Sequence, residues 1–129
     1  MQLTSLLPFL LLALTSTIKA LGCYSHGLTW SDLGQYDKAN GFYNFGSIKA
    51  ACSVLAGTYT PGTGKTYCSS VGSAHVDFEM WNLNSAGTQS ISYGQCLLDF
   101  EREMRAWSHG SEQDYRPWWV RIDPNSGKC

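Results

Sequence analysis

The segment AHVDFEMW, residues 74–81, alternates between apolar and polar side chains. Successive side chains of a β-strand point to opposite sides of the sheet, so this segment predicts a strand with two different faces. One face carries Val76, Phe78 and Met80, which need a hydrophobic core to pack against. The chain must therefore fold so that one side of a sheet is covered while the other stays in water. The side chains on that other side are His75, Asp77, Glu79 and Trp81.

Two further segments predict strands of the same sheet. In RPWWVRID, residues 116–123, Trp118, Val120 and Ile122 are expected on the core side. The residues that alternate with them, and so face water, are Trp119, Arg121 and Asp123. The register decides which of Trp118 and Trp119 is buried, because a shift by one residue exchanges the two faces. GKTYCSS, residues 64–70, predicts a third strand, and DPNSG, residues 123–127, predicts a turn.

Two segments have the spacing of helices that are apolar on one side. In GSIKAACSVLAG, residues 46–57, Ser47 is the expected cap and Gly57 the expected end. In SYGQCLLDFEREMRAWSHG, residues 92–110, Ser92 and Gln95 predict a capping box and Gly110 an end. The charge run DFEREMR within it predicts a solvated outer face. The apolar positions are Ile48, Ala51, Cys52 and Leu55 in the first helix, and Tyr93, Cys96, Leu97, Phe100, Met104 and Trp107 in the second.

The order helix, strand, strand, helix, strand predicts an α+β fold with a single antiparallel sheet and two helices packed on one face. Residues 31–46 carry no clear pattern. The expected core is Phe78, Met80, Leu55, Leu97, Phe100 and Val120.

The first twenty residues predict a secretory signal, with an apolar run too short to span a bilayer and a small residue, Ala20, at the expected cleavage site. Residues 21–129 are then expected to form one domain. The net charge of −1 lacks the cationic excess that phosphate-backbone binding requires, so we expect no nucleic-acid partner. No later segment is long and apolar enough to predict membrane insertion. We therefore expect a secreted, extracellular protein.

All five cysteines follow the expected signal. In an oxidising compartment, widely spaced cysteines of a small domain are typical of disulfides, and the close pairs of a zinc site are missing. The odd number leaves at least one thiol unpaired or joined to another chain. The spacing alone leaves open which cysteines pair.

The water-facing sides of the two central strands predict a carbohydrate site if those strands are neighbours. Indoles stack on the C–H faces of sugars, whereas charged groups exchange hydrogen bonds with sugar hydroxyls. We expect Trp81 and Trp119 to be the stacking platforms. The expected hydrogen-bonding residues are Asp77 and Glu79 as acceptors, Arg121 as a donor, and His75 and Asp123 at the rim. The alternative is a solvated face held by cross-strand ion pairs such as that of Glu79 with Arg121.

Four segments together resemble a known family: GCYSHG, AACSVLAG, GQCLLDFEREMRAWSHG and the terminal RIDPNSGKC. They are similar to the small secreted fungal glycan-binding proteins of ink-cap mushrooms and, more distantly, to the virus-encoded killer toxin of corn-smut fungus. The resemblance covers nearly all of residues 21–129. It implies a single-domain α+β fold, secretion and recognition of glycans without catalysis. We expect no cofactor and no metal.

The resemblance also implies a disulfide pattern, Cys52–Cys96 and Cys68–Cys129. The family's third pair would join the N-terminal cysteine to one at the end of the second helix, where this chain has Trp107. Cys23 is therefore expected to be free or to link two copies into a homodimer.

Two other classes of function remain open. The first is a small secreted hydrolase of the ribonuclease or glycosidase kind, although no catalytic motif surrounds His26, His75 or His109 and we assign no catalytic residue. The second is a toxin-like effector that acts on a protein target. The prediction is a secreted fungal lectin-like protein that binds cell-surface glycans, with a possible role in defence.

Overall fold

The structure, a computed structural model, describes residues 22–129, so the expected signal of residues 1–20 lies outside the described residues. The described part has two helices and nine strands. In chain order these are β1 (Gly22–Cys23), β2 (Tyr36–Asp37), β3 (Phe42–Tyr43), α1 (Gly46–Leu55), β4 (Gly57–Tyr59), β5 (Gly64–Val71), β6 (Ala74–Asn82), β7 (Gln89–Ile91), α2 (Tyr93–Ala106), β8 (Ser111–Tyr115) and β9 (Trp118–Ser126).

The main sheet has five antiparallel strands in the order β1-β8-β9-β6-β5. The three predicted strands are β5, β6 and β9, and they are neighbours. β8 and β1 extend the sheet at one side, and β2–β3 and β4–β7 form two small separate ladders. The mixed α+β class is therefore confirmed, and residues 31–46 are found to hold the β2–β3 hairpin.

The hydrophobic core contains the residues that the alternating pattern predicts to be buried. Val76, Phe78 and Met80 are all fully buried, and the ring of Phe78 meets that of Phe100 of α2 edge-on, with centroids 5.3 Å apart. Of the expected core residues, only Leu97 is not fully buried, although it packs against the others. The buried apolar residues are Trp30, Leu33, Ile48, Ala51, Cys52, Leu55, Tyr59, Val76, Phe78, Met80, Ile91, Cys96, Phe100, Met104, Val120 and Ile122.

α1 begins differently from the prediction. Ser47 lies inside the first turn, buried, with its hydroxyl 3.5 Å from Oε1 of Gln35, so it is not the cap. The cap position belongs to Phe45, and Oδ1 of Asn44 accepts a hydrogen bond of 2.9 Å from the backbone N–H of Gly46. The sequence prediction was wrong here because the side chain of Asn44, the residue before the cap position, accepts the hydrogen bond from a free N–H of the first turn.

α2 matches its predicted start, since the Ser92 side chain accepts a 3.1 Å hydrogen bond from the backbone N–H of Gln95. The side chain of Gln95 donates to Asp99 (2.8 Å), so the expected second half of the capping box is not seen. The helix ends at Ala106, before the predicted end at Gly110.

The charge run of α2 is not a wholly solvated face, contrary to the prediction. Asp99 is only 6 % exposed and Glu103 only 1 %. Glu103 accepts hydrogen bonds from the hydroxyls of Ser111 (2.7 Å) and Tyr115, both on β8. A buried carboxylate needs such donors to replace the water that it loses, and these donors lie in a strand that the pattern analysis did not identify.

The turn predicted at residues 123–127 is also absent, because β9 continues through Pro124 to Ser126. Proline normally interrupts a central strand because it lacks an N–H group. Here β8 reaches only to Ser111, opposite Ile122, so β9 has no β8 partner at Pro124. The N–H group that Pro124 lacks would therefore have had no partner in β8.

Two disulfides join distant parts of the chain, Cys52–Cys96 and Cys68–Cys129, and both match the pattern implied by the resemblance. The first links α1 to the first turn of α2 with both cysteines fully buried. Cys23 has a free, exposed thiol. Within residues 22–129 no helix is both long and apolar enough to cross a membrane.

Candidate functional site

The polar side chains of the main sheet form four rows, because directly paired residues of an antiparallel sheet point to the same side. We call this side the polar face. Its first row is Asp114, Trp119, Trp81 and Gly64, and its second is Glu112, Arg121, Glu79 and Thr66. The third is Asp123, Asp77 and Cys68, and the fourth is Asn125, His75 and Ser70. All seven predicted site residues therefore lie on one surface.

The two predicted stacking residues differ in their surroundings. Trp81 is 37 % exposed and lies over Gly64, where an added Cβ would be only 2.2 Å from Cδ2 of the indole. Trp119, its partner on β9, is partly buried. Trp118 points to the other side, packs against the core and meets the ring of Tyr59 edge-on at 5.1 Å. Trp81 is therefore the more accessible indole of the pair.

Arg121 lies between two carboxylates. Its guanidinium donates to Oε2 of Glu79 (2.5 Å) and to Oδ2 of Asp123 (3.1 Å). Burial alone would lower the pKa of Arg121, but the hydrogen bonds to Glu79 and Asp123 outweigh it and raise that pKa above the usual value. The ion pair named in the alternative interpretation is thus present, and Arg121 holds both carboxylates in place.

His75 forms a second polar cluster. One ring nitrogen, Nδ1, lies 2.7 Å from the carbonyl oxygen of Gly127, and the other, Nε2, lies 3.1 Å from Oδ2 of Asp77. Both neighbours are acceptors, so the doubly protonated ring satisfies both. The hydrogen bond to Gly127 raises the pKa of His75 most; burial opposes this, and Asp77 adds to the increase. Oδ2 of Asp77 also accepts from Asn125 (2.9 Å).

The same cluster contains three side chains of the types that bind metals. Donor atoms of Cys68, His75 and Asp77 lie within 4.8 Å of one another. The sulfur of Cys68 is bonded to Cys129, so it is not a thiolate ligand. Two donors then remain, fewer than the three or four protein ligands typical of zinc sites.

The polar face carries more acidic than basic groups. Besides the three predicted carboxylates it includes Glu112 and Asp114 of β8. Asp114 forms an ion pair of 3.3 Å with the exposed Arg116, but its Oδ1 atom is buried without a hydrogen-bond partner within the described residues. Sequence reasoning missed both residues because β8 was not predicted. The available signal was the alternation of Glu112 and Asp114 just before the RPWW segment.

The polar face places carboxylate oxygens, which accept hydrogen bonds, beside the indole of Trp81. Asp77, Glu79 and Asp123 each use one oxygen for the hydrogen bonds described, which leaves a second oxygen for a ligand. The side chains of all three are between 21 % and 34 % exposed. A hydroxyl-rich ligand could donate to these oxygens.

The sequence matches no protein-family model, and no curated protein is significantly similar to it.

Proposed function

We propose that this chain is a secreted fungal lectin-like protein that binds cell-surface glycans without catalysis, in keeping with the family that its sequence resembles. In this proposal the ligand occupies the polar face, and the two helices together cover the opposite, apolar face of the sheet. The proposal includes a role as a defence effector.

The observation that carries the proposal is the position of Trp81. Its indole lies over a glycine, stays partly exposed and has acceptor oxygens of the next row beside it. A large apolar side chain left in water is typical of a surface that binds a partner. A sugar ring uses both parts of such a surface, since its C–H face stacks on the indole and its hydroxyls reach the carboxylates.

The geometry changes the role proposed for Arg121. Its guanidinium is occupied by Glu79 and Asp123, so Arg121 orients these two carboxylates rather than acting first as a donor to the sugar. Their free oxygens then accept from the ligand. His75 orients Asp77 in the same way.

Single contacts of this kind contribute about 1 kcal/mol each, so a single site should bind weakly. A homodimer linked through Cys23 would make the second contact intramolecular and strengthen binding. The exposed thiol of Cys23 is accessible for such a link. Electrophoresis with and without reductant tests it, and a monomer under both conditions contradicts the dimer.

The decisive experiment compares Trp81→Ala with Tyr93→Ala on a glycan array. Tyr93 is a control because it is an aromatic residue of similar exposure, 45 %, on α2 and not on the sheet. We expect Trp81→Ala to lose glycan binding with an unchanged far-ultraviolet circular dichroism spectrum, and Tyr93→Ala to bind as the unmodified chain does. Equal binding by both variants would contradict the assignment.

Two further measurements separate the other classes of function. Release of reducing sugar from a polysaccharide, or of nucleotides from RNA, would show an enzyme. Binding to cells that free glycans cannot displace would show a protein target.

A further inference from the structure

A cavity of about 270 Å³ lies between the C-terminal end of α2 and the β2–β3 hairpin. Two buried side chains line it, Trp30 (2 % exposed) and Met104 (1 %). Tyr36 and Tyr43 also line it, with their rings stacked at a centroid distance of 4.4 Å. None of the residues that form this cavity belongs to the main sheet, so it is separate from the polar face.

Two cations line the same cavity, Lys38 and Arg105, and both are exposed. The ion pairs found among residues 22–129 involve neither of them. The guanidinium of Arg105 lies 5.1 Å from the centre of the Phe45 ring, a contact that holds this long side chain against the hairpin. The cavity thus offers two positive charges to a ligand.

The carboxylates of Asp32 and Asp37, in the same segment as Lys38, already accept hydrogen bonds from neighbouring residues. Hydrogen bonds from Thr29 lower the pKa of Asp32 most, and the charge of Lys38 adds to the effect. At the end of α2, the carbonyl oxygens of Trp107 and Ser108 accept hydrogen bonds from the indole and backbone N–H groups of Trp30, at 2.7 and 3.1 Å. Both carbonyls, which follow Ala106 at the end of the helix, thus already have a donor.

From this combination we infer that the cavity binds a monosaccharide unit that carries a carboxylate, of the hexuronic acid type. The two cations pair with the carboxylate, the tyrosine rings contact the sugar ring, and the hydroxyls of Ser31 and Ser108 exchange hydrogen bonds with those of the ligand. Apolar walls with a few convergent polar groups are typical of small-molecule sites. An acidic sugar would be repelled by the carboxylates of the polar face, so the two surfaces take different ligands.

The test is an NMR titration of isotope-labelled protein with glucuronate, glucose and acetate. Glucuronate should shift the signals of Tyr36, Tyr43 and Arg105 in a saturable way, whereas glucose and acetate, which lack the carboxylate and the ring respectively, should bind at least tenfold more weakly. Shifts confined to the polar face, or equal binding of acetate, would overturn the inference.

Substitutions of Arg105 and Lys38 then test whether each charge contributes to glucuronate binding. Arg105→Gln and Lys38→Gln should each weaken glucuronate binding by about tenfold, since each removes a charge-assisted hydrogen bond, and Arg105→Lys should restore part of the loss. Lys49→Gln is the matched control, because it removes an equal charge from the exposed side of α1. Unchanged binding in both cavity variants, or an equal loss in the control, would overturn the inference. Trp81→Ala should bind glucuronate normally, so this test can fail or succeed independently of the polar face.

Discussion

Trp81 and Gly64 are directly paired across β6 and β5, and the indole fills the space that a side chain at Gly64 would need. We therefore expect Gly64→Ala to push the indole outward and to lower the free energy of unfolding by about 1–3 kcal/mol, the usual cost of added bulk at a packed position. Urea denaturation measures the loss. A red shift of tryptophan fluorescence would report the greater exposure of the indole.

The control for this substitution is Gly94→Ala in the first turn of α2. An added Cβ at Gly94 meets no atom within 4 Å, and alanine favours the helix, so this variant should be as stable as the unmodified chain or slightly more stable. A stability loss at Gly94 equal to that at Gly64 would show that the effect is not caused by the indole.

Glu103 should be more important for stability than its position in a charge run suggests. Glu103→Leu removes the acceptor for the hydroxyl of Ser111, which is itself fully buried. An unsatisfied buried donor costs about 1–3 kcal/mol, so the urea midpoint should fall. Glu101→Leu on the same helix, whose side chain is partly exposed, should change stability by less than about 0.5 kcal/mol. Similar losses in both variants would contradict a special role for Glu103.

His75 should make stability depend on pH in a defined direction. Its pKa is raised in the folded protein, chiefly by the carbonyl of Gly127, so the folded state binds the proton more tightly than the unfolded state. The stabilisation is present below the unfolded-state pKa of about 6.5 and is lost as the pH rises through the higher folded-state value.

Urea midpoints measured from mildly acidic to mildly alkaline pH should show this decline, and His75→Gln should remove it. An NMR titration of the His75 ring gives its folded-state pKa directly. A value below that of a model histidine would reverse the expected slope and contradict the assignment of both hydrogen bonds.

The cysteines should react in a fixed order. Cys23 is exposed and free in the single chain, so alkylation of the monomer without reductant should modify it alone. Mild reductant should next open Cys68–Cys129, because Cys129 lies exposed, and then Cys52–Cys96, whose sulfurs are fully buried. Mass spectrometry of alkylated peptides follows the order. Modification of Cys52 before Cys129 would contradict it.

The sequence predicts the central strands correctly because their patterns are local. The alternation of residues 74–81 requires one buried face, and the same rule applied to β9 separates Trp118 from Trp119 as the structure does. The Ser92 cap is equally local, since a helix start involves only neighbouring residues.

Apart from the start of α1, where Asn44 and not Ser47 accepts the hydrogen bond, the errors concern positions whose role depends on distant residues. Glu103 is buried only because Ser111 and Tyr115 of β8 supply donors, and nothing within its own helix shows that. Pro124 is tolerated in β9 only because β8 stops at Ser111. The carboxylates Glu112 and Asp114 join the polar face through the strand order, which the local pattern of a short strand does not reveal.

The disulfide between Cys68 and Cys129 has a practical consequence for immobilisation. Because Cys68 lies beside Asp77 in the third row of the polar face, anything fused after Cys129 would start next to that row. An affinity tag or fluorophore attached there would therefore mask part of the polar face. Capture through the exposed side of α1, where Lys49 lies, leaves it accessible.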